Sequence, residues 1–238
     1  MNIDTYDSDA TLDPPGTIAV VGAGPLGIEA ALYGRYLGYD ITLLESDQVA
    51  SSLVDQIGQP IPMMPDRCVS PLGLAALKAQ SGSDIPLTLP TMIDQWINEI
   101  WLPLTQTDLL RGRLRCPAQV IAIELAPVEL DQEQDAEDDD QDEIPPDFRL
   151  RIAGQDPLDV EAVILATGSV SLENGAGQGG TDSIPCSFTR PADYLYQIGT
   201  SASGNAETDY WAGLKQIVAV YASLAGRDDL DLYRPDRG

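Results

Sequence analysis

The sequence predicts an α/β fold built on a parallel sheet. Three observations carry that reading. An apolar, β-branched run at 17–21 leads straight into three closely spaced glycines, a helix-spaced stretch follows them, and a second apolar run at 39–45 completes the unit within 29 residues. Strand, turn, helix and strand in so short a span form a βαβ unit, whose two strands are parallel and whose crossover is right-handed.

Each element has its own signal. The run at 17–21 (TIAVV) is apolar throughout, as in a strand buried on both faces. Ile28, Ala31, Leu32 and Tyr36 share a helical face, and Gly38 supplies the left-handed stop. The run at 39–45 (YDITLLE) is the second strand. Residues 48–90 are rich in Pro, Ser and Gly and predict one short helix at 72–80. In 91–101 Met92, Trp96, Ile97 and Ile100 fall on one helical side. Strands are expected at 119–124, 148–152 and 160–166, the last (VEAVILA) ending at Thr167-Gly168. A short strand at 194–198 and a helix at 208–225 close the chain, with Trp211, Leu214, Val218, Tyr221 and Leu224 forming the buried stripe ahead of Gly226. The expected organisation is one domain at 17–226. An acidic leader, 1–16, precedes it, a polar tail, 227–238, follows, and a charged loop, 129–147, is inserted.

Composition removes several functions. The chain of 238 residues carries 13 Lys+Arg against 38 Asp+Glu, a formal charge of −25. A surface of that sign repels phosphate backbones and anionic lipid, so neither nucleic acid nor a membrane surface is the expected partner. There is no histidine, which removes serine–histidine triads and histidine metal sites. Cys68, Cys116 and Cys186 are far apart in sequence with no C-x-x-C, so no redox dithiol is expected, and sparse thiols suggest a reducing, cytoplasmic setting. Residues 1–16 carry acids where a signal peptide has bases, and no run approaches the ~18–20 apolar residues of a membrane span. The run 129–147 holds 11 acids and no base but lacks calcium-loop spacing. It reads as a solvated loop, with a basic partner as the alternative and no metal expected.

The glycine turn carries the chemistry. Gly22-Ala23-Gly24-Pro25-Leu26-Gly27 has G-x-G-x-x-G spacing. The first glycine permits the tight turn, the second lets a diphosphate approach the backbone, and the third lets helix pack on strand. The diphosphate would meet free N–H groups where the helix dipole favours anions. Glu45 ends the second strand 23 residues after Gly22, where a carboxylate can accept from both hydroxyls of an adenosine ribose and would repel a 2′-phosphate.

These residues resemble a family. Val20 to Gly27, with Thr42-Leu43-Leu44-Glu45, looks like the FAD-binding half of the two-dinucleotide-domain flavoprotein oxidoreductases. That group covers thioredoxin-reductase-like, flavin-monooxygenase-like and bacillithiol-disulfide-reductase-like enzymes. Val163-Ile164-Leu165-Ala166-Thr167-Gly168 resembles the family's A-T-G block. The resemblance implies a three-layer, Rossmann-like FAD/NAD(P)-binding domain with a small β-meander, to which 119–125 and 148–152 would belong. It also implies that Thr167 and Gly168, and Gly199 and Thr200 ahead of the last helix, hold the inner part of the cofactor. FAD is favoured over NAD because plain nicotinamide domains do not require the A-T-G block.

Departures from the family pattern shape the expected function. The 25 residues 169–193 are too few for the family's second dinucleotide domain, since a βαβ unit alone takes about 30 or more. A second G-x-G-x-x-G at Gly175, Gly177 and Gly180 has no strand leading into it and reads as a loop. The family's late G-D is here Gly199-Thr200, with Thr200 or Ser201 as weak substitutes. The expectation is an FAD-binding oxidoreductase reduced to its FAD domain, taking electrons from free NAD(P)H or from a donor protein. The alternatives are a non-catalytic nucleotide-binding or interaction protein and a single-domain NAD(H)-binding dehydrogenase. No catalytic acid or base is assigned. The helix N-terminus at 205–209 could stabilise negative charge on a reduced flavin. Lys215 is expected in solvent, and Arg111, Arg113 and Arg115 are expected to pair with the protein's own acids. Trp96, Trp101 and Trp211 are expected in the core or an interface, with stacking near a flavin as the alternative for Trp211. Cys68 is expected as a buried, inert thiol.

Overall fold

The computed structural model describes residues 11–81, 89–126, 147–168, 170–174, 183–188, 192–200, 202–227 and 230–234. The expectations for most of 1–16 and of 129–147, for the glycines at 175–180, for Ser201 and for the end of the tail lie outside the described residues.

The strands are β1 (Thr17–Val21), β2 (Asp40–Leu44), β3 (Leu114–Arg115), β4 (Val120–Leu125), β5 (Phe148–Ile152), β6 (Leu158–Val160), β7 (Ala162–Leu165), β8 (Ser171–Asn174), β9 (Ser183–Cys186) and β10 (Leu195–Gln197). The main helices are α1 (Pro25–Leu37), α2 (Pro71–Ser81), α3 and α4 (Ala206–Leu224). Helix α3 begins at Ile93–Gln95, widens to a π-turn over Trp96–Trp101 and closes at Leu102–Thr105.

Five strands form a parallel sheet in the order β10-β7-β1-β2-β3. Val20 lies opposite both Leu43 and Ile164, so β1 is paired on both sides. The alternation of its side chains explains the layers. Ile18 and Val20 face the helical core with Ile41, Leu43 and Ile164, while Ala19 and Val21 face a second core with Val163, Leu165 and Phe148. The first core is roofed by α1 and α4. Gly34 lets them touch, since a Cβ there would stand 2.3 Å from the Tyr221 hydroxyl, which donates to the Ala30 carbonyl at 2.8 Å. The second core is closed by the other sheet, ordered β6-β5-β4-β9-β8. The result is the three-layer α/β arrangement the sequence predicts, with β4, β5 and β6 as the antiparallel meander.

Two details differ from the sequence reading. The single strand expected at 160–166 is two strands in two sheets. Val160 pairs with Phe148 and Ala162 with Ile18, and the change of sheet falls at Glu161. That carboxylate accepts from the Thr17 N–H at 2.6 Å and the Thr17 hydroxyl at 2.9 Å, fixing the crossing to the start of β1. The apolar run gave no sign of it because both halves are buried. Strands β8 and β9 extend the second sheet by parallel pairing where only loop was expected, and Pro185 is tolerated inside β9 because that strand meets β4 at Cys186 alone, leaving one side of Pro185 without a ladder partner.

Candidate cofactor site

The C-terminal ends of β1, β2, β7 and β10 meet along one edge of the parallel sheet. Such an edge forms a crevice where the chain leaves neighbouring strands toward opposite sides. Gly22 follows β1 and takes φ +103°, and a Cβ there would lie 2.7 Å from the Ala166 carbonyl oxygen beyond β7. At Gly27 a Cβ would lie 1.8 Å from the Gly22 carbonyl oxygen. Both glycines are therefore demanded by the protein's own packing. Gly24 is not: its φ is −74°, and the nearest atom to a Cβ would be the Ser52 hydroxyl oxygen at 3.7 Å. Its missing side chain leaves room in front of α1 instead. Pro25 opens that helix, Gly24 caps it without a side chain, and its first turn carries no acid. An anion there meets N–H groups and the favourable end of the dipole.

Glu45 is 4% exposed just beyond β2. Its Oε2 accepts from the Ala23 N–H at 2.8 Å and its Oε1 from the Asp47 N–H at 3.0 Å. The Ser46 hydroxyl donates to Oε1 at 3.3 Å. The Ser51 hydroxyl donates to Oε1 as well, at 3.5 Å, so Oε1 is held by three donors and the carboxylate keeps its acceptor capacity on Oε2, beside the glycine turn. Beyond β7, the Thr167 hydroxyl donates to the Val170 carbonyl at 3.1 Å and Gly168 takes φ +64°. Beyond β10, Gly199 takes φ +74° and donates its N–H to the Gln216 side-chain oxygen at 2.8 Å.

A cleft of about 520 Å³ joins these places. It is lined by Gly22, Gly24, Pro25, Leu26, Glu45, Thr167, Gly168 and Gly199, and its volume lies within the ~300–1,000 Å³ of small-molecule and cofactor sites. Of the other residues expected in the site, Ala23 is fully buried and takes part through its backbone, and Gly27 packs beneath the turn. Thr200 is exposed and is not among the lining residues.

Several lining residues carried no recognisable sequence signal. Ser51, Ser52 and Gln56 belong to a short 3₁₀ turn, Ser51–Gln56, held over the glycine turn by the Ala50 N–H donating to the Ala23 carbonyl at 2.9 Å. Met63, Trp96 and Tyr210 supply the apolar wall. Tyr210, and not Trp211, faces the cleft. Trp211 is turned outward, where its Nε1 donates to the Arg67 carbonyl at 3.1 Å and the Arg67 guanidinium lies 5.3 Å over its ring. The first turn of α4 contributes Ala206, Asp209 and Tyr210 to the cleft, which brings the expected helix N-terminus to it. Asn205 caps that helix, its side chain accepting from the Thr208 N–H at 2.9 Å.

The remaining candidates fall out simply. Trp96 and Trp101 are buried. Lys215 is exposed on α4. Arg113 pairs with Asp40, and Arg111 pairs with Asp108 at 3.3 Å. Cys68 is buried, donates to the Pro65 carbonyl at 3.0 Å, and has its thiol pushed up to about 11 by desolvation. No helix among the described residues is long and apolar enough to cross a membrane.

Comparisons with known proteins give partial likenesses. No family model matches the chain. It is 32% identical over 85 residues to the ferredoxin–NADP reductase of Lactococcus lactis subsp. cremoris strain MG1363 and 31% over 85 residues to that of subsp. lactis strain IL1403. Each match covers 36% of this chain and 24% of the relative, so the chain matches about a quarter of those reductases' length. Among solved structures it is similar to bacillithiol disulfide reductase Bdr from Staphylococcus aureus, with 14% identity and a TM-score of 0.43, covering 66% of this chain and 38% of the reductase. A steroid monooxygenase bound to NADP gives 16% identity and a TM-score of 0.48, covering 70% of this chain and 28% of that one.

Proposed function

We propose that this chain is an FAD-binding flavoprotein of the oxidoreductase class, with 17–226 acting as one cofactor domain. The observation that carries the reading is the convergence of four separate sequence blocks on one cleft: the Gly22–Gly24 turn, Glu45, Thr167-Gly168 and Gly199. The fit is specific at Gly24, whose missing side chain serves space in the cleft and not packing.

On this reading the turn Gly22-Ala23-Gly24-Pro25-Leu26-Gly27 holds the diphosphate against the N-terminus of α1. Glu45 accepts from the adenosine ribose, and its charge disfavours a 2′-phosphate. Thr167, Gly168 and Gly199 hold the inner part of the cofactor, with Thr200 at the rim. A bound flavin supplies hydride and single-electron chemistry, and the protein supplies position and electrostatics. Tyr210, Trp96 and Met63 exclude water from one wall. The N-terminal end of α4 lies at the cleft through Ala206, where the helix dipole favours negative charge against the Asp209 carboxylate of the same turn.

The electron source belongs to the same proposal. A donor protein of the ferredoxin class, named in the sequence relatives, is one source, and NAD(P)H as a free co-substrate is the other. A cytoplasmic setting also belongs to it, supported by the sparse cysteines of the sequence and its lack of a C-x-x-C pair. The test is calorimetric titration of the protein and of Glu45→Ala with FAD and, separately, with NAD⁺. FAD binding to the protein, weakened in the variant, supports the reading. Binding of NAD⁺ in place of FAD would make the chain a nicotinamide-binding domain.

A further inference from the structure

We infer that Glu29 is a positioning residue of the cleft: its buried carboxyl, one turn inside α1, ties the Tyr210 hydroxyl to the Ser70 turn and so fixes the aromatic wall. The inference rests on the cofactor reading above for its consequence in binding, and on geometry alone for the wall itself.

Glu29 has no exposed surface. Its Oε1 accepts from the Tyr210 hydroxyl at 2.9 Å and from the Ser70 N–H at 3.2 Å, and its Oε2 accepts from the Ser70 hydroxyl at 2.7 Å. Three helices are joined there. Glu29 belongs to α1 and Tyr210 to the first turn of α4. Ser70 precedes α2 and caps it, its hydroxyl oxygen accepting from the Gly73 N–H at 2.9 Å. At Gly73 a Cβ would approach Glu29 Oε1 to 3.2 Å, so α2 comes close to the carboxyl.

The second aromatic of the wall is bound to the same segment. Trp96 Nε1 donates to the Cys68 carbonyl at 2.9 Å, two residues before Ser70. Both Trp96 and Tyr210 line the cleft, while Glu29 does not touch it. The carboxyl therefore acts through Tyr210. Burial pushes its pKa up, against the pull of the hydrogen bonds from Ser70 and Tyr210. A buried carboxyl is a costly way to fill a helix junction, and an apolar side chain of similar size often does so with more stability. What the carboxyl adds is a pair of acceptors at fixed places, which orient a tyrosine ring by its hydroxyl.

Glu29→Met separates this role from simple packing. The Tyr210 ring lies 6.3 Å from Trp101 and 6.2 Å from Trp211, so near-ultraviolet circular dichroism of the ligand-free protein reports its placement. The expected result for Glu29→Met is native far-ultraviolet signal, an altered near-ultraviolet aromatic signal, and FAD affinity lowered about tenfold. Glu29→Gln keeps an acceptor for the Tyr210 hydroxyl and should restore the aromatic signal, with affinity within about threefold of the parent. Should Glu29→Met fail to fold, Tyr210→Phe removes the same link and keeps the ring, and the same losses are expected of it, read in the tryptophan bands of Trp101 and Trp211 because the substitution itself takes the Tyr210 phenol out of the spectrum. An unchanged aromatic spectrum with unchanged FAD affinity, in Glu29→Met or in Tyr210→Phe, overturns the inference. If the parent protein takes no FAD, the proposed function fails, and the aromatic spectra of the ligand-free variants still decide the role of Glu29.

Discussion

The carboxylate of Glu45 and the backbone N–H of Ala23 are joined by a buried hydrogen bond of 2.8 Å. The bond fastens the end of β2 to the glycine turn that follows β1, so the residue proposed to meet the ribose also holds the loop proposed to meet the diphosphate. Loss of the carboxylate should therefore act twice. Glu45→Ala leaves the Ala23 N–H without its partner, a cost of about 1–3 kcal/mol in folding. FAD affinity should fall about tenfold to a hundredfold, since charge-assisted bonds to a ligand each contribute about 1.5–3 kcal/mol. Urea denaturation and calorimetry measure the two effects separately.

The three glycines of the turn should not respond alike. At Gly27 a Cβ would overlap the Gly22 carbonyl oxygen at 1.8 Å, so Gly27→Ala should lose about 3 kcal/mol or more of stability. At Gly24 the same Cβ meets nothing closer than 3.7 Å and the backbone φ suits alanine. Gly24→Ala should change stability by less than about 1 kcal/mol. It should still weaken FAD binding, because its methyl stands where the diphosphate approaches. Equal stability losses at both positions would assign Gly24 to packing.

Glu29 should give a pH signature. Its pKa is raised above the ordinary 4.5 by burial, so the folded state holds that proton more tightly than the unfolded chain. The stability it contributes is complete below 4.5 and is lost as pH rises through the raised value. The groups facing it are the Ser70 hydroxyl and the phenols of Tyr210 and Tyr233. Burial pushes both phenols well above their usual range, so they stay neutral throughout. Glu29→Gln cannot ionise. The melting-temperature difference, variant minus parent, should climb as pH rises above 4.5 and through the raised value. Asp159 works in the opposite sense, because Arg149 lowers its pKa, but it is present in both proteins and cancels. A flat difference would show that Glu29 ionises as freely folded as unfolded.

Thiol labelling should separate the cysteines by burial. Cys116 is exposed, while Cys68 and Cys186 are buried. Desolvation pushes the Cys68 thiol up to about 11, which removes its thiolate at neutral pH. A maleimide at neutral pH should modify Cys116 in the native protein and reach Cys68 and Cys186 on denaturation. Mass spectrometry of the tryptic peptides checks the order, and native labelling of Cys68 would show that the Pro65–Arg67 turn opens.

The parallel sheet was legible because its signals are local. A continuous apolar strand, a glycine turn and a helix closed by Gly38 lie next to one another, and Gly38 takes φ +98° as that stop requires. The late helix was legible from its apolar stripe. The crossing at Glu161 was not, since a run buried in two sheets looks like a run buried in one. The lining by Ser51, Ser52 and Met63 was not legible either, because no periodicity marks a 3₁₀ turn or a proline-rich segment. The place of Tyr210 in the aromatic wall carried no sequence signal: it is Tyr210, and not the neighbouring Trp211, that lines the cleft. The Glu29 network was invisible because its partners lie 41 and 181 residues away in sequence.

The central claim is most directly tested by the visible absorption spectrum of the purified protein after incubation with FAD and removal of the free cofactor. The account predicts a yellow protein whose flavin spectrum is shifted from that of free FAD, with FAD recovered in the supernatant on heat denaturation. A colourless protein that retains no FAD would contradict it.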